Sequence, residues 1–351
     1  DFTYYKTDSR NQILKLATTA ASGYTSQVRN AGHIRNRGYE IQLGAVPIQT
    51  SKGFRWNLDL NYGANSSKVV KLDDEGLITS YQLYSSGIQI LASVGEAYGT
   101  LFGTSYVRDA NGNVVVDANG LPKISTTNKT LGKFTPDWTG GISNTFSYRS
   151  LSLSFLIDAS VGGSIFSNTN KTGKYTGVLA NTLSGRDAEH GGLWYYTDAM
   201  GNNVRLSESP SYSVSSDGLY YAQVNGQSTR VYQDGIMVEG VTESGSKNEE
   251  VVSAEKYYHR IYSIAEANVY DASYVKLREV ALSYRLPRLW TQKLHLQEAS
   301  VTLTGRNLWT IYKSVPNIDP ESALTTGNAQ GVEAYSLPTT RSFGVNLSVK
   351  F

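Results

Sequence analysis

The last eleven residues, Arg341-Ser-Phe-Gly-Val-Asn-Leu-Ser-Val-Lys-Phe351, alternate without interruption. Phe343, Val345, Leu347, Val349 and Phe351 fall on one face, and Ser342, Gly344, Asn346, Ser348 and Lys350 on the other. A period of two is the signature of a β-strand with one apolar face. This strand runs to the final residue, and that residue is aromatic. A terminal amphipathic strand closed by an aromatic is how outer-membrane barrels usually end. On this reading the apolar face meets lipid, and Phe351 acts as a barrel-insertion signal.

The same alternation recurs upstream. It covers Tyr39 to Ala45, Phe54 to Tyr62, Ile142 to Tyr148, Leu151 to Ala159 and Ala299 to Thr304. The stretch YVKLREVALSYRL, 274–286, changes phase near Arg278-Glu279, which predicts a β-bulge. Residues 1–16 form a weaker strand candidate. Together these segments predict about eight crossings. Their connections alternate in length: long at about 72–136, 162–268 and 313–338, medium at about 17–32, and short at 48–52, 149–150 and 287–297. Outer-membrane barrels sort their connections this way, with short periplasmic turns and long extracellular loops. A soluble sandwich has no reason to do so.

Composition narrows the function. The 351 residues carry a net charge of +2, so no nucleic-acid footprint is present. There is no cysteine, hence no disulfide and no thiolate chemistry. The four histidines, His33, His190, His259 and His295, are scattered. Neither a metal nor a cofactor is expected. Mean hydropathy is −0.33, and no apolar run is long enough for a transmembrane helix, which leaves open a barrel whose strands are only half apolar. Tyr and Trp residues near strand ends (Tyr4, Tyr5, Trp56, Tyr62, Trp138, Tyr148, Tyr284, Trp290 and Trp309) fit aromatic girdles at the headgroups. Asp1 opens DFTYYK, which reads as mid-strand, so the chain is expected to be the C-terminal part of a longer polypeptide.

Several stretches in order resemble the C-terminal portion of the SusC/RagA family of TonB-dependent transporters of the Bacteroidetes outer membrane. They are NAGHIRNRGYEIQL (30–43), VGEAYGTLFG (94–103), LGKFTPDWTGGISNTFSYRSLSLSFLIDASVGG (131–163), YDASYVKLREVALSYRLP (270–287), GRNLWTIYKSVPNIDPES (305–322) and the closing strand from Pro338. The family's TKY-x-G element is replaced by Tyr312-Lys-Ser-Val-Pro-Asn317. The resemblance implies an all-β transmembrane antiparallel barrel of about 22 strands with a plugged lumen. This chain would supply about the last eight strands and neither the plug nor the TonB box. It further implies a SusD-like surface lipoprotein as partner, TonB as the energy source acting through the missing N-terminal remainder, and lipid around the wall.

The predicted function is therefore a share of a TonB-dependent importer of large nutrients, glycan or peptide, in the outer membrane of a Gram-negative bacterium. A passive barrel or surface adhesin without energised transport is the alternative, and a soluble carbohydrate-binding sandwich a third reading. No catalysis is expected. His190-Gly191-Gly192 resembles an oxyanion-hole turn, but no G-x-S-x-G accompanies it. Asp109, Asn111 and Asn113 have the spacing of calcium ligands without the loop's Gly and Glu, and two Asn-Gly turns flanking Val114 to Val116 explain them as a hairpin. Trp194, Tyr195, Tyr196, Tyr220, Tyr221, Tyr257 and Tyr258 are expected either to contact substrate or partner or to pack a large loop. Arg55, Asn57, Asp59, Asn61, Asp158, Arg306 and Asn346 are expected to face the lumen.

Overall fold

The computed structural model describes residues 1–17, 23, 26–293 and 295–351. Its backbone divides into two units. One comprises Asp1–Leu101, Gly132–Ile165 and Tyr270–Phe351; the other Phe102–Leu131 and Phe166–Val269.

The first unit is built on a single eight-stranded antiparallel meander in which each strand pairs with the next in sequence. The strands are β1 (Phe2–Arg10), β2 (His33–Gln49), β3 (Phe54–Lys71), β4 (Trp138–Tyr148), β5 (Leu151–Val161), β6 (Tyr274–Arg285), β7 (Glu298–Lys313) and β8 (Ser342–Lys350). The register aligns apolar residues into rows that run across the sheet. Ile48, Trp56, Phe146, Leu153, Leu282, Leu303 and Val345 form one row, and Phe54, Tyr148, Leu151, Tyr284, Val301 and Leu347 the next. Leu43, Leu60, Ile142, Ile157, Leu277 and Trp309 form a third. On β8, Phe343 is 80% exposed, Val345 73% and Leu347 66%. A continuous apolar face of this extent is untenable in water, whereas hydrocarbon is its natural solvent.

One polar residue interrupts a neighbouring row of the same face. Asn144 lies between Leu58 and Phe155. It is only 8% exposed, and its Oδ1 accepts a hydrogen bond from the Trp56 indole at 3.0 Å. The indole thus satisfies the amide oxygen.

Several strands exceed the boundaries expected from alternation. β2 has 17 residues, β3 18 and β7 16, against the roughly 9–11 needed to cross a bilayer. Most of their additional residues lie toward the end that carries the long connections, where alternation no longer has two solvents to record. The weak candidate at 1–16 separates into β1, paired with β2 from Phe2↔Ile41 to Arg10↔His33, and a strand Ile13–Ala17 that turns back on Ser26–Asn30. The tip of that expected connection, 18–22 with 24 and 25, lies outside the described residues.

The bulge is where the phase change places it. Leu156 pairs with Glu279 and Ile157 with Leu277, leaving Arg278 as the extra residue. β7 slips at the same point, with Leu277 opposite Trp309 and Glu279 opposite Arg306.

Antiparallel order puts residues 50–53, 149–150 and 286–297 at one end of the sheet, and 11–32, 72–137, 162–273 and 314–341 at the other. The short-turn end is compact: the Arg149 N–H reaches Gly53 O at 3.3 Å. The 286–297 turn contains a helix, Arg288–Lys293.

The second unit folds around a six-stranded sheet comprising Leu193–Thr197, Asn203–Arg205, Tyr212–Val214, Tyr220–Val224, Gln227–Met237 and Val251–Ser253. Helices Asn168–Thr176 and Ala254–Tyr262 accompany it, capped by Ser167 and Ser253. Its turns repeat one device. Asp109, Asp117, Asp198, Ser215 and Thr242 each accept the N–H of a glycine three residues on and donate to the carbonyl four residues on. Asp109 and Asp198 also accept from the backbone with their carboxylates. The glycines sit at φ between 76° and 87°, a left-handed conformation that other residues adopt at a cost. Asp109 is therefore a turn former, and hydrogen bonds from the Asn113 amide and nearby backbone lower its pKa. Val114 to Val116 make isolated bridges rather than the expected strand.

Candidate functional site

Three features of the fold are candidates for function: the polar face of the sheet, an ionic cluster upon it, and a cavity in the second unit.

Opposite the apolar rows, the register aligns Arg55, Ser147, Ser152, Ser283, Thr302 and Asn346, and beside them Asn57, Thr145, Ser154, Ala281, Thr304 and Gly344. All seven residues expected at the lumen lie on this polar face. Several are already engaged there. Arg55 Nε donates to Asn57 Oδ1 at 2.8 Å, and Arg306 pairs with Glu279 at 2.8 Å. Among the described residues, Asp59, Asn61 and Asn346 have no hydrogen-bond partner for their side chains.

Asp158 belongs to the ionic cluster. Arg278, turned by the bulge, grips its carboxylate through Nε at 2.6 Å and Nη2 at 3.0 Å. The same guanidinium binds Glu321, with Nη1 at 2.7 Å and Nη2 closing the second bond. Lys276, with its side chain 3% exposed, reaches Asp319 at 2.6 Å and Glu321 at 2.5 Å. The Tyr274 hydroxyl donates to Glu321 at 2.9 Å, and the Thr339 hydroxyl to Asp319 at 2.6 Å. Burial would raise the Asp319 carboxyl. Hydrogen bonds from Lys276, Thr339 and the Glu321 N–H outweigh it and hold the pKa at about 2. Glu321 is lowered against burial by Arg278 and Lys276. The cluster thereby ties the connection 314–341 to β5 and β6. Lys276, Arg278, Asp319 and Glu321 escaped the sequence reading. Their signal is the matched spacing of K-x-R in YVKLREV and D-x-E in NIDPES.

The second unit holds a cavity of about 710 Å³, lined in part by Tyr106, Tyr257, Tyr258, Asn181, Ser184 and Glu239. Lys174 also lines it. Its ammonium donates to Ala267 O at 2.7 Å and Asn268 Oδ1 at 3.2 Å, and burial lowers its pKa to about 8. The Tyr258 hydroxyl is shared between the carbonyls of Asn181 and Ser184 at 3.2 and 3.1 Å.

The loop aromatics have divided roles. Trp194 packs on Ala222 and Val231 in the sheet's core, with Tyr196 and Tyr220 against it. Tyr195 is 4% exposed, stacks on Tyr232 and donates to Asp234. Tyr221 pairs with Arg230 across the sheet. Tyr257 and Tyr258 alone among the seven line the cavity. His190 closes a short turn on Asp187 at 2.7 Å, and Gly192 is pressed against the carbonyls of Gln233 and Asp187. Phe351 is 83% exposed, beyond the end of β8. Among the described residues no cluster of metal-ligating side chains occurs.

No family model matches the chain. Among curated proteins it is similar to two TonB-dependent receptors of Formosa agariphila, P3 at 26% identity and P26 at 24%, each over the whole of this chain. The chain spans 32% of the length of each. Among solved structures it resembles the RagAB peptide transporter, with TM-score 0.60 and 19% identity, covering all of this chain and 33% of that one. The closed-closed state of the RagAB peptide importer matches similarly, with TM-score 0.61 and 18% identity over 33% of that chain. These structures establish a shared barrel fold.

Proposed function

We propose that this chain, a portion of a SusC/RagA-type TonB-dependent receptor barrel of the bacterial outer membrane, forms wall and outer mouth of an energised nutrient importer. The observation that carries the reading is the two-sided sheet. Apolar rows cross six or seven strands without a break, polar rows back them, and every large connection leaves from one end. An open sheet of this kind leaves backbone groups unpaired at both edges, which hydrocarbon does not tolerate. The remaining strands and the plug belong to the rest of the polypeptide.

In this arrangement the polar face lines the path or meets the plug, and the long connections form part of the extracellular mouth. A SusD-like lipoprotein would cover that mouth, and TonB would act on the plug. The chain's own task is positional: it presents a wall and a folded unit carried on its long connections. The test is uptake by cells that express the full transporter. Uptake is expected to stop when either the transporter or TonB is removed. Uptake that persists without TonB contradicts energised import and favours a passive barrel.

A further inference from the structure

The apolar face of the wall is not uniformly filled. Between the row of Leu282 and the row of Leu277, β6, β7 and β8 place Val280, Gly305 and Phe343 side by side. Gly305 has no side chain to continue the row, and the face sinks there into a furrow of about 430 Å³. Val280, Leu282, Leu303, Leu308, Phe343 and Val345 wall it. A Cβ at 305 would lie 2.9 Å from the Leu308 side chain, so the furrow depends on the glycine. On β3, β4 and β5 the corresponding surface is closed by rings. Trp56 and Phe146 lie 5.7 Å apart between centroids, and Phe146 and Phe155 6.1 Å.

The turn that joins β6 to β7, residues 286–297, lies at the end of this furrow nearer the short connections. Arg288 and Lys293 are exposed on it. The carboxylate that flanks the turn, Glu298, is taken by Arg285 at 2.9 Å. Leu289 is 73% exposed and Trp290 57%, whereas Thr291 is buried and its hydroxyl donates to Arg288 O at 3.1 Å. A short helix that buries a threonine and exposes a leucine, a tryptophan and two cations suits the headgroup layer, where apolar bodies and positive charge are both satisfied. Val280 precedes Arg285 by five residues on β6, about 17 Å of strand at ~3.4 Å per residue. A wall strand tilted by ~45° converts this to a depth of about 12 Å, within the ~15 Å that one leaflet contributes to the hydrocarbon core.

We propose that furrow and turn form one seat for an anionic phospholipid of the inner leaflet, with an acyl chain laid over Gly305 and the headgroup phosphodiester between Arg288 and Lys293. An acyl chain and a phosphate at this separation belong to one molecule, and the two cations complement its charge. A zwitterionic headgroup brings its own ammonium, which the same two cations repel. The inference rests on the barrel reading for the presence of lipid on this face.

The experiment is native mass spectrometry of the full transporter in detergent, titrated separately with dioleoyl-phosphatidylglycerol and dioleoyl-phosphatidylcholine, whose chains are identical. Phosphatidylglycerol is expected to be retained about tenfold more strongly. Arg288→Gln combined with Lys293→Gln is expected to bring it down to the phosphatidylcholine level. Gly305→Leu fills the furrow and is expected to weaken retention severalfold, counted only if the melting temperature is unchanged. Lys52→Gln combined with Arg149→Gln removes equal charge from the neighbouring turns 50–53 and 149–150, where both residues are exposed but the wall is closed by rings, and should leave retention as it was. sn-Glycerol 3-phosphate in large excess should not displace the lipid. The proposal is overturned if the two lipids are retained alike, if both charge pairs weaken binding equally, or if the Arg288 and Lys293 pair has no effect. Displacement by glycerol phosphate also overturns it, since the furrow would then contribute nothing. Lipid contact along β5 is measured independently by spin-label accessibility, so a failed seat leaves the barrel reading intact, and a barrel reading that fails shows itself on β5 first.

Discussion

The eight-stranded wall and the loop-borne unit use the same apolar side chains in opposite ways. In the loop unit Phe166, Val231, Val251, Val252 and Ile264 are at most 2% exposed. In the wall Phe343, Val345, Leu347, Leu303 and Leu43 are all more than half exposed, and the serines and threonines line the opposite face. One unit is organised for water and the other for hydrocarbon, within one chain whose mean hydropathy is −0.33. Average hydropathy is therefore uninformative here. The direction in which alternate residues point carries the information.

The contrast can be broken from either side. Phe166 is fully buried in the loop unit, so Phe166→Ala is expected to cost about 3–5 kcal/mol. Limited proteolysis should then cut within 166–269 while the wall stays assembled. Leu153 lies mid-row on the apolar face, and Leu153→Arg is expected to cost about 2–4 kcal/mol in the bilayer. Its neighbour Ser154 faces the other way, so Ser154→Arg should assemble far better. Outer-membrane abundance of the pair reads the difference, and equal abundance would mean that the two faces share a solvent.

The ionic cluster sharpens the comparison, because it adds charge to the apolar packing of Val315 and Ile318 on Ile165 that also holds the connection 314–341. Glu321→Gln keeps the shape but removes the charge that Lys276 and Arg278 share. It is expected to loosen the 314–341 connection by about 1–3 kcal/mol, seen as faster hydrogen exchange there. The pH dependence has a definite sign. Asp319 is held at about 2, below its ordinary value. Its stabilising contribution is complete above about pH 4 and is lost as pH falls toward 2. Exchange in this connection should thus be flat from pH 5 to 8 and rise in acid. The smallest effect belongs to Asn144. Asn144→Leu removes the acceptor for the Trp56 indole but extends an apolar row, so stability should change by less than about 1 kcal/mol.

Much of the wall was legible in the sequence. Alternation locates β4, β5, β6 and β8 within a few residues, and the phase change at Arg278-Glu279 marks the bulge. Loop lengths give the polarity of the sheet. The outer halves of β2, β3 and β7 were not legible, because beyond the bilayer both faces meet water and the alternation fades. The second unit was illegible for a different reason. Its strands are short, its core mixes Trp194, Ala222 and Val231 from distant segments, and only the repeated D/S/T-x-x-G turns announce a folded sheet. Aromatic pairs in its sequence did not separate core from cavity: Trp194 and Tyr195 went to the core, while Tyr257 and Tyr258 reached the cavity. The ionic cluster depends on two motifs more than forty residues apart in the chain meeting through the bulge, which spacing alone does not reveal.

The central claim is that one face of the meander contacts lipid and the other does not. The chain contains no cysteine, so single cysteines can be placed in turn from 151 to 161 and from 274 to 285 and spin-labelled in the assembled transporter. Collision with oxygen, which partitions into hydrocarbon, is compared with collision with a water-soluble nickel complex. The account predicts a period of two along β5, with oxygen favoured at Leu153, Phe155 and Ile157 and not at Ser152, Ser154 and Asp158. Along β6 the phase should reverse across Arg278, so that Leu277 and Val280 both favour oxygen. A uniform response, or a phase that runs unbroken through Arg278, would contradict it.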